Sequence, residues 1–199
     1  MLNLLMQWDQ ELLIVLNGWH APWLDSLMVL MTHTLFWSPL YGILVVLLFR
    51  NFRSQAWFFV LGAVLTVLLC DQITAEIVKP WFARLRPSND PSIAGFLHLV
   101  DGYTAGSYGF SSGHAANTFG VAVFFWFTLR AIYRWTPLLF VWAALMSYTR
   151  IYLGVHYPTD ILAGIALGLC CGTIGFATSR YLRNRYQTSK KQSETVSAE

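Results

Sequence analysis

Long apolar stretches separated by short polar segments make up most of the chain. They cover about residues 24–49, 56–78, 113–133, 137–153 and 158–181. A helix needs about 20 apolar residues to cross the hydrocarbon core of a bilayer, and these stretches have roughly that length. We therefore predict an all-α fold, a polytopic membrane helix bundle with five transmembrane helices. In the last stretch Gly164, Gly168 and Gly172 recur every four residues, which predicts close packing against a neighbouring helix.

The first 20 residues show a different pattern. Asp9, Gln10 and Glu11 interrupt an apolar run whose large side chains share one face of a helix. These side chains are Leu2, Leu5, Met6, Leu12, Leu13 and Leu16. The pattern is typical of an amphipathic helix that lies in the membrane interface. Alternatively, residues 12–16 belong to a short sixth transmembrane helix.

The composition agrees with a membrane location. Of the 199 residues, 56% are hydrophobic and 12% are charged, with a mean hydropathy of +0.49, which is too apolar for an ordinary soluble domain. Cys70, Cys170 and Cys171 lie in apolar runs without the spacing of a metal site or a disulfide framework. The small net charge of +3 does not indicate nucleic-acid binding. We expect one membrane-embedded domain, residues 1–182, and a polar, disordered tail, residues 183–199.

The distribution of basic residues predicts the orientation in the membrane, because Lys and Arg favour cytoplasmic segments. With five transmembrane helices, nine of the thirteen fall on one side: Arg50, Arg53, Arg130, Arg134, Arg180, Arg183, Arg185, Lys190 and Lys191. The other four are Lys79, Arg84, Arg86 and Arg150. We therefore expect a cytoplasmic C-terminus, with the loop 80–112 and the turn 154–157 on the outer face. The four basic residues on the disfavoured side suggest a specific role there.

A histidine and an aspartate stand between the last two apolar stretches. Pro158 suits the first turn of a helix, so Asp160 would lie in that turn and His156 just before it. Asp160 can then hold one imidazole nitrogen and leave the other free to attack, as in covalent catalysis. The alternative is a His and an Asp that are simply hydrated at the interface.

Three segments on the predicted outer face carry groups that suit phosphate binding. Lys79 and Arg86 flank the end of the second apolar stretch, and Arg150 closes the fourth. Ser112-Gly113-His114 opens the third, where free backbone N–H groups of a helix N-terminus attract an anion. Each segment alone is a weak signal, since a Lys or Arg at a span end commonly just reaches for water. Their convergence predicts one phosphate site.

Two acidic residues of the second apolar stretch fall outside these segments. We expect Asp71 to bond across the bundle and Glu76 to pair with Lys79, one helical turn further on. Neither is assigned to the catalytic set.

The three segments resemble the motifs of the type 2 phosphatidic acid phosphatase superfamily. The family pattern is Lys, six residues, Arg-Pro; Pro-Ser-Gly-His; and Ser-Arg, five residues, His, three residues, Asp. Here the segments read Lys79…Arg86-Pro87, Ser111-Ser112-Gly113-His114 and Thr149-Arg150…His156…Asp160. Ser111 replaces the motif proline and Thr149 replaces the serine before the arginine. Neither substitution removes a group that the chemistry needs.

The resemblance implies a mechanism. His156 would attack phosphorus, Asp160 would orient and stabilise the imidazole, and His114 would protonate the leaving oxygen and later activate water. The phosphate oxygens would be held by Lys79, Arg86, Ser112, Gly113 and Arg150. Because these cations already neutralise the phosphate, we expect neither a metal nor another cofactor.

The resemblance also implies the class of substrate, a membrane lipid with a phosphate or diphosphate headgroup. We expect undecaprenyl diphosphate, with lipid A phosphate and phosphatidylglycerophosphate or phosphatidic acid as alternatives. A non-catalytic phospholipid binder or transporter is an alternative of another class. We expect the protein in a bacterial inner membrane, with its active site facing the periplasm or cell exterior. Its partners would then be membrane lipids, and the sequence carries no indication of oligomeric state.

Overall fold

The computed structural model describes residues 2–100, 103 and 105–196, and the described chain is helical with no β-strand. The helices are α1 Leu2–Asn17, α2 Pro22–Thr32, α3 Ser38–Phe52, α4 Ala56–Gln72, α5 Lys79–Phe82, α6 Gly113–Leu129, α7 Leu138–Tyr152 and α8 Pro158–Val196. A π-helical segment, Ile73–Val78, joins α4 to α5. This confirms the all-α fold, while the number of membrane crossings stays a prediction.

Two helical stretches among the described residues are long and apolar enough to cross a membrane. They are Thr34–Phe82, which contains α3, α4 and α5, and Pro158–Thr195. The first predicted span, residues 24–49, is not one helix. It divides after Thr32, where His33 is extended and a 3₁₀ turn, Thr34–Trp37, precedes α3. Pro39 explains the break, because proline in the first turn of a helix favours a new start over continuation.

The last helix extends past the predicted boundary of the domain. We expected a disordered tail from residue 183, whereas α8 continues to Val196. The side chain of Arg183 lies over the rings of Phe52 and Phe59. Beyond it, Lys190 and Glu194 form an exposed pair one turn apart, 3.8 Å between Nζ and Oε1. Packing at the start and helix-compatible spacing later in the segment favour helix over coil.

The central contact of the bundle joins α6 to α8, and the glycines of α8 make it close. A Cβ atom at Gly168 would lie 2.3 Å from the carbonyl oxygen of Ala116, and one at Gly172 would lie 2.3 Å from that of Gly120. The predicted close packing is therefore confirmed. It brings the two N-termini side by side, and the Ser112 N–H donates to the Asp160 carbonyl at 3.0 Å.

The first helix is attached to this end of the bundle by polar side chains. Asp9 and Asn17 are buried, 5% and 1% exposed, while apolar residues such as Trp8 and Val15 face outward. The Asn17 amide donates to the carbonyls of Ile151 and Tyr152 at 3.2 and 2.8 Å. Asp9 and Asn17 thus bind α1 to the protein, and its outer face is mostly apolar, with Gln7 and Glu11 also exposed.

Candidate active site

The sequence-predicted residues meet where α6 and α8 begin. They are His156 and Asp160 at the start of α8, Ser112, Gly113 and His114 at the start of α6, Arg150 at the end of α7, and Lys79 and Arg86 around α5 and the loop after it. Electrostatic interactions of His156 with Arg86, Arg150, His114 and Lys79 show that these groups share one environment. Lys79 is half-buried, and its side chain forms no hydrogen bond with the other residues that the structure describes.

His156 and Asp160 form a buried pair with the predicted geometry. Nδ1 of His156 lies 3.3 Å from Oδ2 of Asp160, and the two side chains are 2% and 0% exposed. The Tyr157 N–H also donates to Oδ2, at 3.0 Å. Because α8 begins at Pro158, Asp160 sits in its first turn and reaches back to the histidine. The hydrated alternative does not fit this burial.

The tautomer of His156 follows from its other contact. Nη1 of Arg86 lies 2.8 Å from Nε2 and donates a second bond to the carbonyl of Val155 at 3.0 Å. A guanidinium only donates hydrogen bonds, so Nε2 accepts. The proton of the neutral ring is then on Nδ1, facing Asp160. This arrangement directs the Nε2 lone pair toward Arg86, which forms a cation cluster with Lys79 and Arg150.

Several buried donors of the motif segments have no partner among the described residues. They are Nε of Arg86, Nε of Arg150 and the hydroxyl of Ser111. Buried polar groups normally have partners, and together these three suit an anion with several oxygens. Ser112 caps α6, since its hydroxyl oxygen accepts from the Ala115 N–H at 3.4 Å. Its hydroxyl hydrogen can still donate to a phosphate. Ser111, which replaces the motif proline, therefore brings a hydroxyl that sequence reasoning disregarded.

Thr32, at the end of α2, connects two of the predicted groups. Its hydroxyl accepts from Nη1 of Arg150 at 2.6 Å, and its carbonyl oxygen lies 3.2 Å from Nε2 of His114. Nη1 of Arg150 also donates to the hydroxyl of Tyr103. Neither Thr32 nor Tyr103 belongs to a motif, and their contacts span long sequence separations. No pattern along the chain marks them.

A second network holds Asp160 from the side opposite to His156. Nη1 of Arg84 donates to Oδ1 of Asp160 at 3.1 Å, and its Nη2 donates to Oδ2 of Asp9 at 2.6 Å. Asp9 also accepts from the backbone N–H and the hydroxyl of Thr159, at 2.9 and 2.5 Å. A carboxylate from α1 therefore caps the N-terminus of α8. The excess of basic residues on this face pointed to Arg84 but not to its role, and nothing pointed to Asp9.

The loop after α5 is folded so that both of its arginines face the site. Leu85 and Tyr108 form an isolated antiparallel bridge. Around it, the Arg86 N–H donates to the Ser107 carbonyl and the Gly109 N–H to the Arg84 carbonyl, at 3.0 and 2.9 Å. These backbone bonds hold Arg84 against Asp160 and Arg86 against His156.

Outside the motifs, the two acidic residues of α4 and its π-helical extension behave differently. Asp71 bonds across the bundle as predicted, accepting from Nδ2 of Asn117 at 2.7 Å. The predicted pair of Glu76 and Lys79 is wrong, since no ion pair between them occurs in the described structure. The π-helical segment, Ile73–Val78, explains this, because its wider turn does not align residues three apart.

An apolar cavity of about 460 Å³ opens beside the site. It lies between α3, α4, α6 and α7, and His114 stands at the polar end of its wall. Most of the lining is aliphatic or aromatic, and its other polar residues are Thr34, Asp71, Asn117 and Thr118. The position suits a lipid whose phosphate is at the cation cluster.

The surroundings of His156 predict its charge state. Burial, together with Arg86 and Arg150, holds the pKa of His156 well below its usual value of about 6.5. The ring should therefore remain neutral, and nucleophilic, as the pH falls through 6.5. NMR of ¹⁵N-labelled histidines in detergent micelles, with the His156→Ala variant for assignment, measures this directly. A midpoint at or above 6.5 in the substrate-free protein would contradict the arrangement of charges described above.

Comparisons with known proteins identify the family of the chain. The chain matches the PAP2 superfamily over residues 60–184. It is 37% identical to a lipid A 4'-phosphatase of Bacteroides thetaiotaomicron, over 94% of this chain and 84% of that protein. It is equally identical to the lipid A 4'-phosphatase of Porphyromonas gingivalis, over 92% and 77%. An undecaprenyl-diphosphatase of Sulfolobus acidocaldarius is 30% identical over 79% of this chain and 72% of that protein.

Solved structures share the fold. The crystal structure of Aquifex aeolicus LpxE matches with a TM-score of 0.65 at 25% identity, over 84% of this chain and 93% of that one. A transmembrane PAP2-type phosphatidylglycerolphosphate phosphatase from Bacillus subtilis matches with a TM-score of 0.66 at 24% identity, over 90% and 88%. From the family match and the identity to its relatives, the chain belongs to the PAP2 superfamily of membrane phosphatases.

Proposed function

We propose that this protein hydrolyses a phosphate monoester of lipid A and releases inorganic phosphate. The observation that carries the phosphatase chemistry is the buried His156–Asp160 pair, whose free nitrogen faces Arg86. The substrate is supported by the two relatives named lipid A 4'-phosphatase, each 37% identical to nearly the whole chain. These relatives favour the lipid A alternative of the sequence analysis over undecaprenyl diphosphate, whose phosphatase is a more distant match.

The first chemical step in this proposal forms a phosphohistidine. Nε2 of His156 attacks phosphorus while the bond to the leaving oxygen breaks. Arg86, which contacts Nε2 at 2.8 Å, moves its hydrogen bonds to the phosphate oxygens and so frees the lone pair. Arg150, Lys79 and the start of α6 hold the remaining oxygens, which stabilises the negative charge of the transition state.

The proton transfers in this proposal belong to His114. Its ring gives a proton to the leaving alcohol and then takes one from the water that attacks the phosphohistidine. In this structure Nε2 of His114 hydrogen-bonds to the Thr32 carbonyl, which orients the ring along the wall of the cavity. The products are the dephosphorylated lipid and inorganic phosphate, and His156 is restored.

Phosphate release by the purified protein tests the substrate. The panel contains lipid A, undecaprenyl diphosphate and phosphatidylglycerophosphate in matched detergent micelles, with the His156→Ala variant as the blank. We expect the highest kcat/KM for lipid A. A higher kcat/KM for undecaprenyl diphosphate would instead support that lipid as the substrate, as the sequence analysis expected. Binding without phosphate release would support the non-catalytic alternative.

The charge of the transferred phosphate should be neutralised by protein cations, without a divalent metal. Among the described residues, no three His, Cys, Asp or Glu side chains group as a metal site. We expect activity to survive EDTA, and vanadate, which mimics pentacoordinate phosphorus, to inhibit. Loss of activity with EDTA and its recovery with Mg²⁺ would contradict the role given to Lys79, Arg86 and Arg150.

The site should face away from the cytoplasm. This expectation comes from the nine-to-four division of basic residues, and it places the loop that contains Asn89 outside and the end of α8 inside. Both Asn89 and Ser189 are exposed. In spheroplasts an impermeant thiol reagent should label Asn89→Cys but not Ser189→Cys, each made in a background without native cysteines. The reverse labelling would invert the topology.

A further inference from the structure

The wall of the apolar cavity contains one carboxylate, and the catalytic proposal does not use it. Asp71 lies in α4 and Asn117 in α6, and both line the cavity together with His114. Most other lining residues are apolar, for example Val64, Leu68 and Phe125. An ionisable side chain within a membrane-spanning stretch carries a high cost and marks a functional site by default. Asp71 at this place therefore implies either a ligand or a structural role.

The pair of Asp71 and Asn117 leaves hydrogen-bond acceptors on the cavity wall. Nδ2 of Asn117 donates to Oδ1 of Asp71 at 2.7 Å, which fixes the orientation of the amide. Its Oδ1 is then buried and has no partner among the described residues. The second oxygen of Asp71 has no hydrogen bond there either. A ligand that fills this place must bring donors, either O–H or N–H.

The position of Asp71 and Asn117 relative to the phosphate site indicates which part of the ligand they contact. His114 and Asn117 are three residues apart in α6, so they share a face and differ in depth by about 4.5 Å. The phosphate site is at the N-terminus of this helix, and Asn117 lies on the far side of His114 from it. A substrate with its leaving oxygen at His114 therefore places the next few atoms of the leaving group beside Asp71 and Asn117.

We propose that Asp71 and Asn117 select lipids whose leaving group carries hydroxyl or amide N–H donors close to the phosphate. An acylated sugar or a glycerol headgroup has such donors, and its acyl chain can occupy the apolar remainder of the cavity. A polyprenyl phosphate has only hydrocarbon at this place. Its binding would bury the carboxylate and the amide oxygen without partners, which costs more than the loss of a contact. This inference rests on the proposed lipid phosphatase activity and specifies its substrate.

A purely structural role for Asp71 makes a different prediction. The bond to Asn117 joins α4 to α6, so its loss could loosen the bundle. Such an effect would lower activity on every substrate by a similar factor. Selection through hydrogen bonds instead changes the ratio between substrates, and a polyprenyl phosphate should gain relative to a sugar-containing lipid.

The test compares kcat/KM for three phosphate monoesters: a phosphorylated acyl-glucosamine lipid, a polyprenyl monophosphate, and p-nitrophenyl phosphate, which reaches only the phosphate site. Asp71→Leu removes the acceptors, and the isosteric Asp71→Asn keeps one of them and the shape. Glu76→Gln is the matched control, because Glu76 is an exposed acid in the π-helical extension of the same helix and lies outside the cavity.

For Asp71→Leu we expect about a 10- to 100-fold loss on the acyl-glucosamine lipid, the range of a hydrogen bond to a charged group. Activity on p-nitrophenyl phosphate should change less than about 3-fold, and activity on the polyprenyl phosphate should stay or rise. Asp71→Asn should fall between wild type and Asp71→Leu, and Glu76→Gln should resemble wild type. An equal loss on all three substrates, or no loss, would overturn the selection by Asp71 while leaving the phosphatase intact. Absence of phosphate release by the wild type from all three would instead refute the proposed function.

Discussion

Replacing His156 with alanine should abolish both phosphate release and phosphoenzyme formation. The reason is that Nε2 of His156, whose lone pair faces Arg86, is the proposed nucleophile, and alanine has no nucleophilic group to replace it. Rapid-quench trapping of the acid-labile phosphoenzyme with radiolabelled substrate measures the step itself. His33→Ala is the control, because His33 is exposed at the end of α2 and belongs to no catalytic contact.

The comparison with His114→Ala separates the nucleophile from the acid. Removing a general acid typically costs about 10²–10⁴-fold, and this loss should appear with an alkyl lipid phosphate. An aryl phosphate has a leaving group of low pKa that needs little protonation, so the variant should retain more activity on it and still accumulate phosphoenzyme. Phosphoenzyme in His156→Ala, or none in His114→Ala with the aryl substrate, would mean that the two roles are exchanged.

The parts of the site that were accessible from sequence are those governed by local spacing. The spacing of four positions from His156 to Asp160, with Pro158 to start the helix, places the carboxylate back against the imidazole wherever the helix lies. Glycines four residues apart similarly predict a close helix contact. These are arguments about one turn of helix, and they need no knowledge of distant chain segments.

The rest of the site depends on contacts between segments that are far apart in the sequence. Asp9 meets Thr159 across 150 residues and Thr32 meets Arg150 across 118. Neither Asp9 nor Thr32 has a neighbour in sequence that would suggest a partner. The broken first span was missed for a related reason, because hydropathy alone does not register the turn at His33 and Thr34–Trp37.

Asp9 changes how the first helix is to be understood. The sequence indicates an amphipathic helix at the interface, and its apolar outer face agrees with that position. Its inner face contributes a carboxylate that bonds Arg84 and the first turn of α8. The position of α1 and the position of Asp160 are therefore linked through two side chains, Asp9 and Arg84. Loss of Asp9 should leave the Asp160 carboxylate in place but less well positioned. It should therefore lower activity less than a change at Asp160 itself.

Asp160→Asn should lower kcat by about 10⁴-fold with little change in KM, the loss seen when the orienting carboxylate of a catalytic histidine is replaced by its amide. The structure explains why an isosteric change is so costly. Oδ1 of Asp160 accepts from Arg84, and Oδ2 faces Nδ1 of His156 and accepts from the Tyr157 N–H. Both oxygens face donors, whereas an amide offers one acceptor and one donor.

Either orientation of the asparagine amide is therefore unfavourable. With its NH₂ toward Arg84, two donors oppose each other and the histidine loses the charge that stabilises its cationic form. With its NH₂ toward His156, Nδ1 must accept, the ring proton moves to Nε2, and the nucleophilic lone pair is lost. The measurement is single-turnover phosphoenzyme formation together with vanadate affinity, which reports binding at the phosphate site. We expect slow phosphorylation with nearly normal vanadate binding. Wild-type phosphorylation rates in Asp160→Asn would show that the buried carboxylate does not orient His156.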